Sequence, residues 1–163
     1  MISKEMTKRL NQQITLEMYS SNIYLAMSGW CAYNGLNGSA SFLKNHSKEE
    51  LSHAYKLFDY ISETGGLAEV DTIEKPNNSF KSLHEVFEAT YKHELIVSKS
   101  IFELVDFALN EKDYSTFNFL QWYISEQHEE EKLFKEILDK FEIIKTDGRG
   151  LFMIDREIGQ LAN

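Results

Sequence analysis

With Cys31 as its only cysteine, the chain cannot close an intrachain disulfide. Proline is just as scarce, represented by Pro76 alone, and only eight glycines punctuate the 163 residues. No run of about 18 apolar residues is present, which excludes a membrane-spanning helix on sequence grounds. The N-terminus, MISKEMTKRLNQQ, has no apolar signal segment. A soluble, cytoplasmic protein with no membrane partner is expected. Positive charge is also short: 17 Lys+Arg stand against 26 Asp+Glu, for a formal net charge of −9. Phosphate backbones are held by clustered cations, so nucleic acid is not an expected partner. What the chain has is 42% hydrophobic and 13% aromatic residues, enough to argue against disorder. A chain of this length makes one domain, 1–163, able to bury roughly 68–70% of the surface it exposes when unfolded.

The few helix breakers stand in useful places. Met1–Tyr33 has helical apolar spacing and stops at Asn34-Gly35-Leu36-Asn37-Gly38. Ser39 is the expected cap of a second helix that runs to Glu63-Thr64-Gly65-Gly66. Ser82-Leu83-His84-Glu85 opens a third with a capping box, and this helix fades near Asn110. Asp113 is the expected cap of a fourth, ending before Thr146-Asp147-Gly148, and Leu151–Leu161 makes a short fifth. No alternating stretch long enough for a sheet remains. Short turns make the first and second helices antiparallel, and likewise the third and fourth. The stretch Gly65–Lys81 lacks periodicity and suits a crossover running the full height of a bundle. The expected fold is all-α, a four-helix bundle with one long crossover and a short C-terminal helix.

The first helix carries two apolar stripes. Leu10, Ile14, Glu17, Ser21 and Tyr24 form one; Leu16, Tyr19, Ile23, Met27 and Trp30 form the other. One stripe serves the core. The second calls for another partner, and a neighbouring copy of the chain is the simplest, because large apolar patches are rarely left in water.

Polar residues interrupt the remaining core stripes as well. They read Leu43-His46-Glu50-His53-Leu57-Ile61, then Phe87-Tyr91-Glu94-Ser98-Ile101-Val105, then Leu120-Tyr123-Gln127-Glu130-Phe134-Ile137. With Glu17, each of the four stripes carries a carboxylate near mid-length. Glu17 to Glu50 and Glu94 to Gln127 are both 33 residues apart, and a shift of 77 maps the first pair onto the second and His53 onto Glu130. The chain reads as two similar hairpins. Each pair is centred on its turn, so Glu17 should face Glu50, and Glu94 should face Gln127.

An isolated ionised carboxylate in an apolar core carries a prohibitive solvation cost; it must be protonated, paired or metal-bound. No Lys or Arg shares these stripes at that level. Four carboxylates with the single imidazole of His53 form a hard, oxygen-rich set suited to iron or manganese. Glu50 and His53 lie one turn apart on one helical face, and Glu50 is the natural bridge between two ions about 3.5–4 Å apart. One such glutamate alone would ordinarily be a solvated surface residue. The run Glu126-Gln127-His128-Glu129-Glu130-Glu131 would read as a charged outer face, and His128 and Glu131 are assigned to it here. The four-stripe coincidence is what sets the others apart.

At these residues the chain resembles the bacterial non-haem ferritins over essentially its whole length; the Glu and Glu-x-x-His arrangement is a known feature of ferritin-like bundles. The resemblance implies a ferroxidase centre in which Glu17, Glu50 and His53 hold one iron and Glu94 and Glu130 the second, with Gln127 beside them. It implies a third iron position at Glu49, Glu126 and Glu129 with Glu130 shared, and an electron-supplying role for Tyr24. It further implies a hollow homo-oligomer of 24 subunits that oxidises Fe(II) with O2 or H2O2 and stores Fe(III) as a hydrous oxide, the last helix lining a four-fold axis. The family's relatives differ at readable positions. Rubrerythrins, di-iron reductases and bacterioferritins would show a second Glu-x-x-His where this chain has Gln127-Ile-Ser-Glu130, and a haem-ligating methionine would stand at Leu51. No haem is expected. A di-iron peroxidase or oxygenase, and a purely sequestering helical assembly, are the rival readings.

Overall fold

The structure, a computed structural model, describes residues 1–144 and 147–162. It contains α1 (Lys4–Tyr33), α2 (Asn37–Glu63), α3 (Leu83–Asn110), α4 (Tyr114–Ile143) and α5 (Gly148–Gln160), with no strand among the described residues. Thr146, part of the stop expected after the fourth helix, lies outside the described residues.

Local side chains start four of the helices. Ser3 accepts from the Met6 amide, Ser82 from Glu85, Asp113 from Thr116 and Asp147 from Gly150. The expected box at Ser82 forms with one change: Glu85 reaches back to the Lys81 amide, one residue before the cap.

α2 is the exception, and Ser39 is not its cap. The helix begins two residues earlier, after Leu36, which supplies no side-chain bond. Its first amides are satisfied from α5 instead, where the Asp155 carboxylate accepts from Gly38 at 3.1 Å and Ser39 at 2.8 Å. That placement needs a bare backbone. A Cβ on Gly38 would lie 2.0 Å from the Asp155 carbonyl oxygen, and one on Gly159 2.8 Å from the Gly38 Cα. The charge that caps α2 comes from the far end of the chain, so no local pattern could announce it.

The duplication extends to the turns. Gly35 has φ +76°, and Lys112, 77 residues on, holds the same left-handed backbone at φ +57°. Contacts between helices run in opposite directions along the chain: Glu17 near Glu50 and Ser28 on Ala40, Gln13 on Ser100 and Ser20 on His93, Tyr60 on Thr116 and His46 near Glu130. α1 is therefore antiparallel to α2 and α3, and α2 to α4. The crossover spans the bundle as expected. Asn11 near the start of α1 binds Leu67 and Glu69, while Phe80 packs edge-on against Trp30 near its end.

The apolar core is split in two. One block holds Tyr24, Phe42, Phe87 and Phe134 and receives Ile154 and Ile158 from α5. The other holds Leu10, Ile14, Leu57, Ile101 and Leu120. Each fully buried aliphatic or aromatic side chain contributes about 1.5–3 kcal/mol, and the two blocks clamp the polar layer between them. Met27 belongs to the first block, so the second stripe of α1 is not wholly outward. Leu25 and Tyr33 are exposed, and Leu16, Tyr19, Ile23 and Trp30 are partly so. α5 docks one face on its own chain and leaves Phe152 and Met153 exposed. No described helix is long and apolar enough to cross a membrane.

Candidate metal centre

Between the two apolar blocks the four helices bring together Glu17 from α1, Glu50 and His53 from α2, Glu94 from α3, and Gln127 and Glu130 from α4. None is more than 5% exposed. Glu17, Glu50 and His53 each direct a ligating atom into a common space no wider than 4.8 Å. The pairing expected from the hairpin turns is present: Glu17 neighbours Glu50, and the Gln127 amide donates to Glu94 at 3.0 Å.

These side chains are held from behind. Gln13 donates to Glu17 Oε1 at 2.8 Å and itself accepts from Ser100 at 2.5 Å. Tyr24 donates its phenolic proton to Glu94, so the residue singled out near the centre touches it directly. Tyr123 donates to the His53 carbonyl at 2.8 Å, and His53 Nδ1 lies 3.2 Å from Glu50 Oε2. What the set lacks is positive charge. Among the described residues, the Lys and Arg ion pairs involve other carboxylates, all of them at the surface. Glu17 Oε2 and Glu130 Oε2 are buried with no hydrogen-bond partner.

The electrostatics follow from that lack. Burial, then the charge of Glu50, holds Glu17 well above the ordinary carboxylate range. Burial, then Glu94, does the same for Glu50, and burial raises Glu94 despite the bonds from Tyr24 and Gln127. Burial and the negative charge of Glu94 and Glu50 raise the Tyr24 phenol well above its usual value. At neutral pH the unfilled centre favours protons that a cation would displace. The arrangement can hold small, hard cations in a buried layer.

The outlying acids are not all gathered. Glu49 and Glu126 share a space of 4.8 Å with His53, whose Nε2 is 3.9 Å from Glu126. Glu129 is exposed and joins none of the groups of three found among the described residues. Two sequence assignments need correction. Glu131 is not an outer-face residue, for it is half-buried and accepts the Ser98 hydroxyl proton. His53 is not the only imidazole near the centre: His46, one turn before Glu50, places Nε2 3.3 Å from Glu130. Burial opposes charge on His46, but the hydrogen bond and charge of Glu130, aided by Glu49, raise it above its usual value. Its signal was its place on the core stripe of α2, hidden by the expectation of one nitrogen ligand. His93 is also buried; its Nε2 lies 2.6 Å from Ser20 Oγ, and burial pushes the ring down to about 4.

Known proteins place this geometry in a family. Residues 7–144 match the family of the ferritin-like domain. A probable bacterial non-heme ferritin-like protein of Haemophilus influenzae is 54% identical, over 99% of this chain and 98% of that protein. A bacterial non-heme ferritin of Escherichia coli is 49% identical over 99% and 98%. A solved structure of an open-pore ferritin from the archaeon Archaeoglobus fulgidus superposes with a TM-score of 0.95 at 42% identity, covering 97% of this chain and 96% of that one. With a family match over residues 7–144 and relatives 49% and 54% identical over nearly its whole length, the chain belongs to the ferritin family.

Proposed function

We propose that this chain is an iron-storage subunit that oxidises Fe(II) at the centre of its bundle and passes Fe(III) to a hydrous oxide stored inside a hollow shell. One observation carries the reading: four buried carboxylates converge, Glu17 and Glu130 with an orphaned oxygen each, and among the described residues no Lys or Arg pairs with them. A purely structural layer would leave that cost unmet. Glu17, Glu50 and His53 take one ferrous ion and Glu94 and Glu130 a second, with Glu50 bridging. Gln127 and Tyr24 fix Glu94, and Tyr24 is placed to supply an electron. Two ferrous ions together deliver two electrons to one O2, which leaves with two protons as H2O2; peroxide can serve as oxidant in turn. Hard oxygen ligands favour the ferric product. Glu49 and Glu126 support a third ion near the shared Glu130, with exposed Glu129 at its edge.

Twenty-four chains of 19.0 kDa would form a shell of about 456 kDa. The exposed Leu25 and Tyr33 and the uncovered face of α5, with Phe152 and Met153, support burial against further copies. A location in the cytoplasm completes the proposal. The di-iron peroxidase reading is weaker: His46 comes from α2 and does not restore a Glu-x-x-His on α4. Aerobic addition of Fe(II) to the assembled protein, followed by oxygen electrode and absorbance, tests the proposal. Wild type should oxidise the first ions quickly and accumulate mineral. Glu50→Ala and His53→Ala should keep the assembled mass and lose the fast phase; an unchanged initial rate in both would refute the assignment.

A further inference from the structure

Gln13 is an amide where the fold asks for nothing polar. It is 1% exposed, while Leu10 and Ile14 beside it on α1, and Val97 and Ile101 on α3, all belong to the second apolar block. A buried amide costs free energy unless both of its ends are bonded, and here both are. Gln13 stands one turn before Glu17 on the same face of α1 and donates to Glu17 Oε1 at 2.8 Å. An ionised carboxylate only accepts, so the amide must present its N–H to Glu17 and its carbonyl to α3. There the half-buried Ser100 supplies a proton, donating to that carbonyl at 2.5 Å. The other oxygen of Glu17 is treated differently: Oε2 is buried and has no hydrogen-bond partner.

We propose that Gln13 and Ser100 are positioning residues that tie down Oε1 and so make Glu17 a one-oxygen ligand, through Oε2, to the first ferrous ion. The inference rests on the proposed function, which puts that ion among Glu17, Glu50 and His53. Its consequence is an open place on the ion. A second oxygen from Glu17 would fill a coordination position, and catalytic metal sites keep one free for the reacting molecule. Without the Gln13 amide, Oε1 is a buried oxygen with no donor, and it turns to the ion. Without the Ser100 hydroxyl, the Gln13 carbonyl is left buried and unbonded, and the contact that holds its N–H on Glu17 is lost. Both residues act through Glu17, and neither is itself a ligand.

Iron-edge anomalous diffraction from crystals of the assembled protein soaked anaerobically in Fe(II), with stopped-flow oxidation of the same proteins, tests it. Wild type should show iron among Glu17, Glu50 and His53, ligated by Glu17 Oε2 with Oε1 still on Gln13. In Gln13→Met, a side chain of similar length with no N–H, both Glu17 oxygens should ligate. The saturating rate of the fast phase should then fall by about 10- to 100-fold, the usual cost of losing an outer-shell partner, while Fe(II) affinity in anaerobic titration changes by less than about tenfold. Ser100→Ala should lower the rate and Ser100→Thr, which keeps the hydroxyl, should restore it; this arm stands whether or not Gln13→Met assembles. Iron held by both Glu17 oxygens in wild type, or by Oε2 alone in Gln13→Met, overturns this inference and spares the proposed function. So does a fast phase in Ser100→Ala equal to wild type, or an affinity that falls as far as the rate. No iron among Glu17, Glu50 and His53 overturns both.

Discussion

Glu17→Gln should stabilise the metal-free protein, although it removes a fully buried side chain from the centre of the bundle. Gln is nearly isosteric, and its carbonyl can keep the 2.8 Å bond from Gln13. Its amide can then donate toward Glu50 without having to capture a proton. The native carboxyl is raised well above its ordinary 4.5. A group with a raised folded value contributes its stability below the unfolded value and loses it as pH rises through the folded one. At neutral pH, therefore, Glu17 opposes folding, because the unfolded chain releases that proton. At about 1.36 kcal/mol per pH unit, the penalty at pH 7 reaches at most about 3 kcal/mol. A net gain of about 1–3 kcal/mol follows for the variant, and for a chain of this size each kcal/mol moves Tm by roughly 2–4 °C. The assay is calorimetry of the chelator-treated, assembled protein from pH 5 to 8. The variant's advantage should widen with pH, and tight metal binding should disappear. If Glu17→Gln melts lower than wild type at pH 7 without metal, Glu17 is a structural residue and the reasoning fails.

Loading the centre at neutral pH should expel protons, since burial holds Glu17 and Glu50 well above the ordinary carboxylate range and pushes Glu94 up to about 7. Anaerobic Fe(II) or Zn(II) calorimetry in buffers of different ionisation enthalpy reads this directly, and buffer-independent heats would contradict it. Gly38→Ala should loosen α5. Its Cβ meets backbone 2.0 Å away, an overpacking cost of about 1–3 kcal/mol or more that outweighs the roughly 1 kcal/mol of helix propensity gained. Amide exchange in α5 should accelerate at least tenfold with α1–α4 unchanged; undisturbed protection of α5 would refute the close contact. Lys112→Gly should stabilise the chain by up to about 1 kcal/mol, because it places glycine at a left-handed position whose repeat partner is Gly35. A lower Tm for Lys112→Gly would count against that backbone assignment.

Much of this was legible from periodicity, because the signals were local and doubled. The stripes place Glu17, Glu50, Glu94 and Glu130 in the core, and the shift of 77 residues sets their common height. Turn chemistry at Asn34–Gly38 and Asp113 located the hairpins. What escaped notice depended on distant parts of the chain. The cap of α2 is supplied by Asp155, more than a hundred residues away, so Ser39 looked like the cap only because nothing nearer competed. Glu131 sits in an acidic run that reads as solvent-facing, and only the placement of Ser98 draws it inward. His46 lay in plain view on its stripe, but a buried histidine is ambiguous until the partners of both nitrogens are known.

The proposed function requires that the buried acids cage paired ions. Iron-edge anomalous diffraction from crystals soaked anaerobically in ferrous salt tests it most directly. Two strong peaks should lie about 3.5–4 Å apart, one among Glu17, Glu50 and His53 and the other between Glu50, Glu94 and Glu130. Iron found only on the exposed acids, with Glu17 and Glu50 turned away and nothing between them, would contradict it.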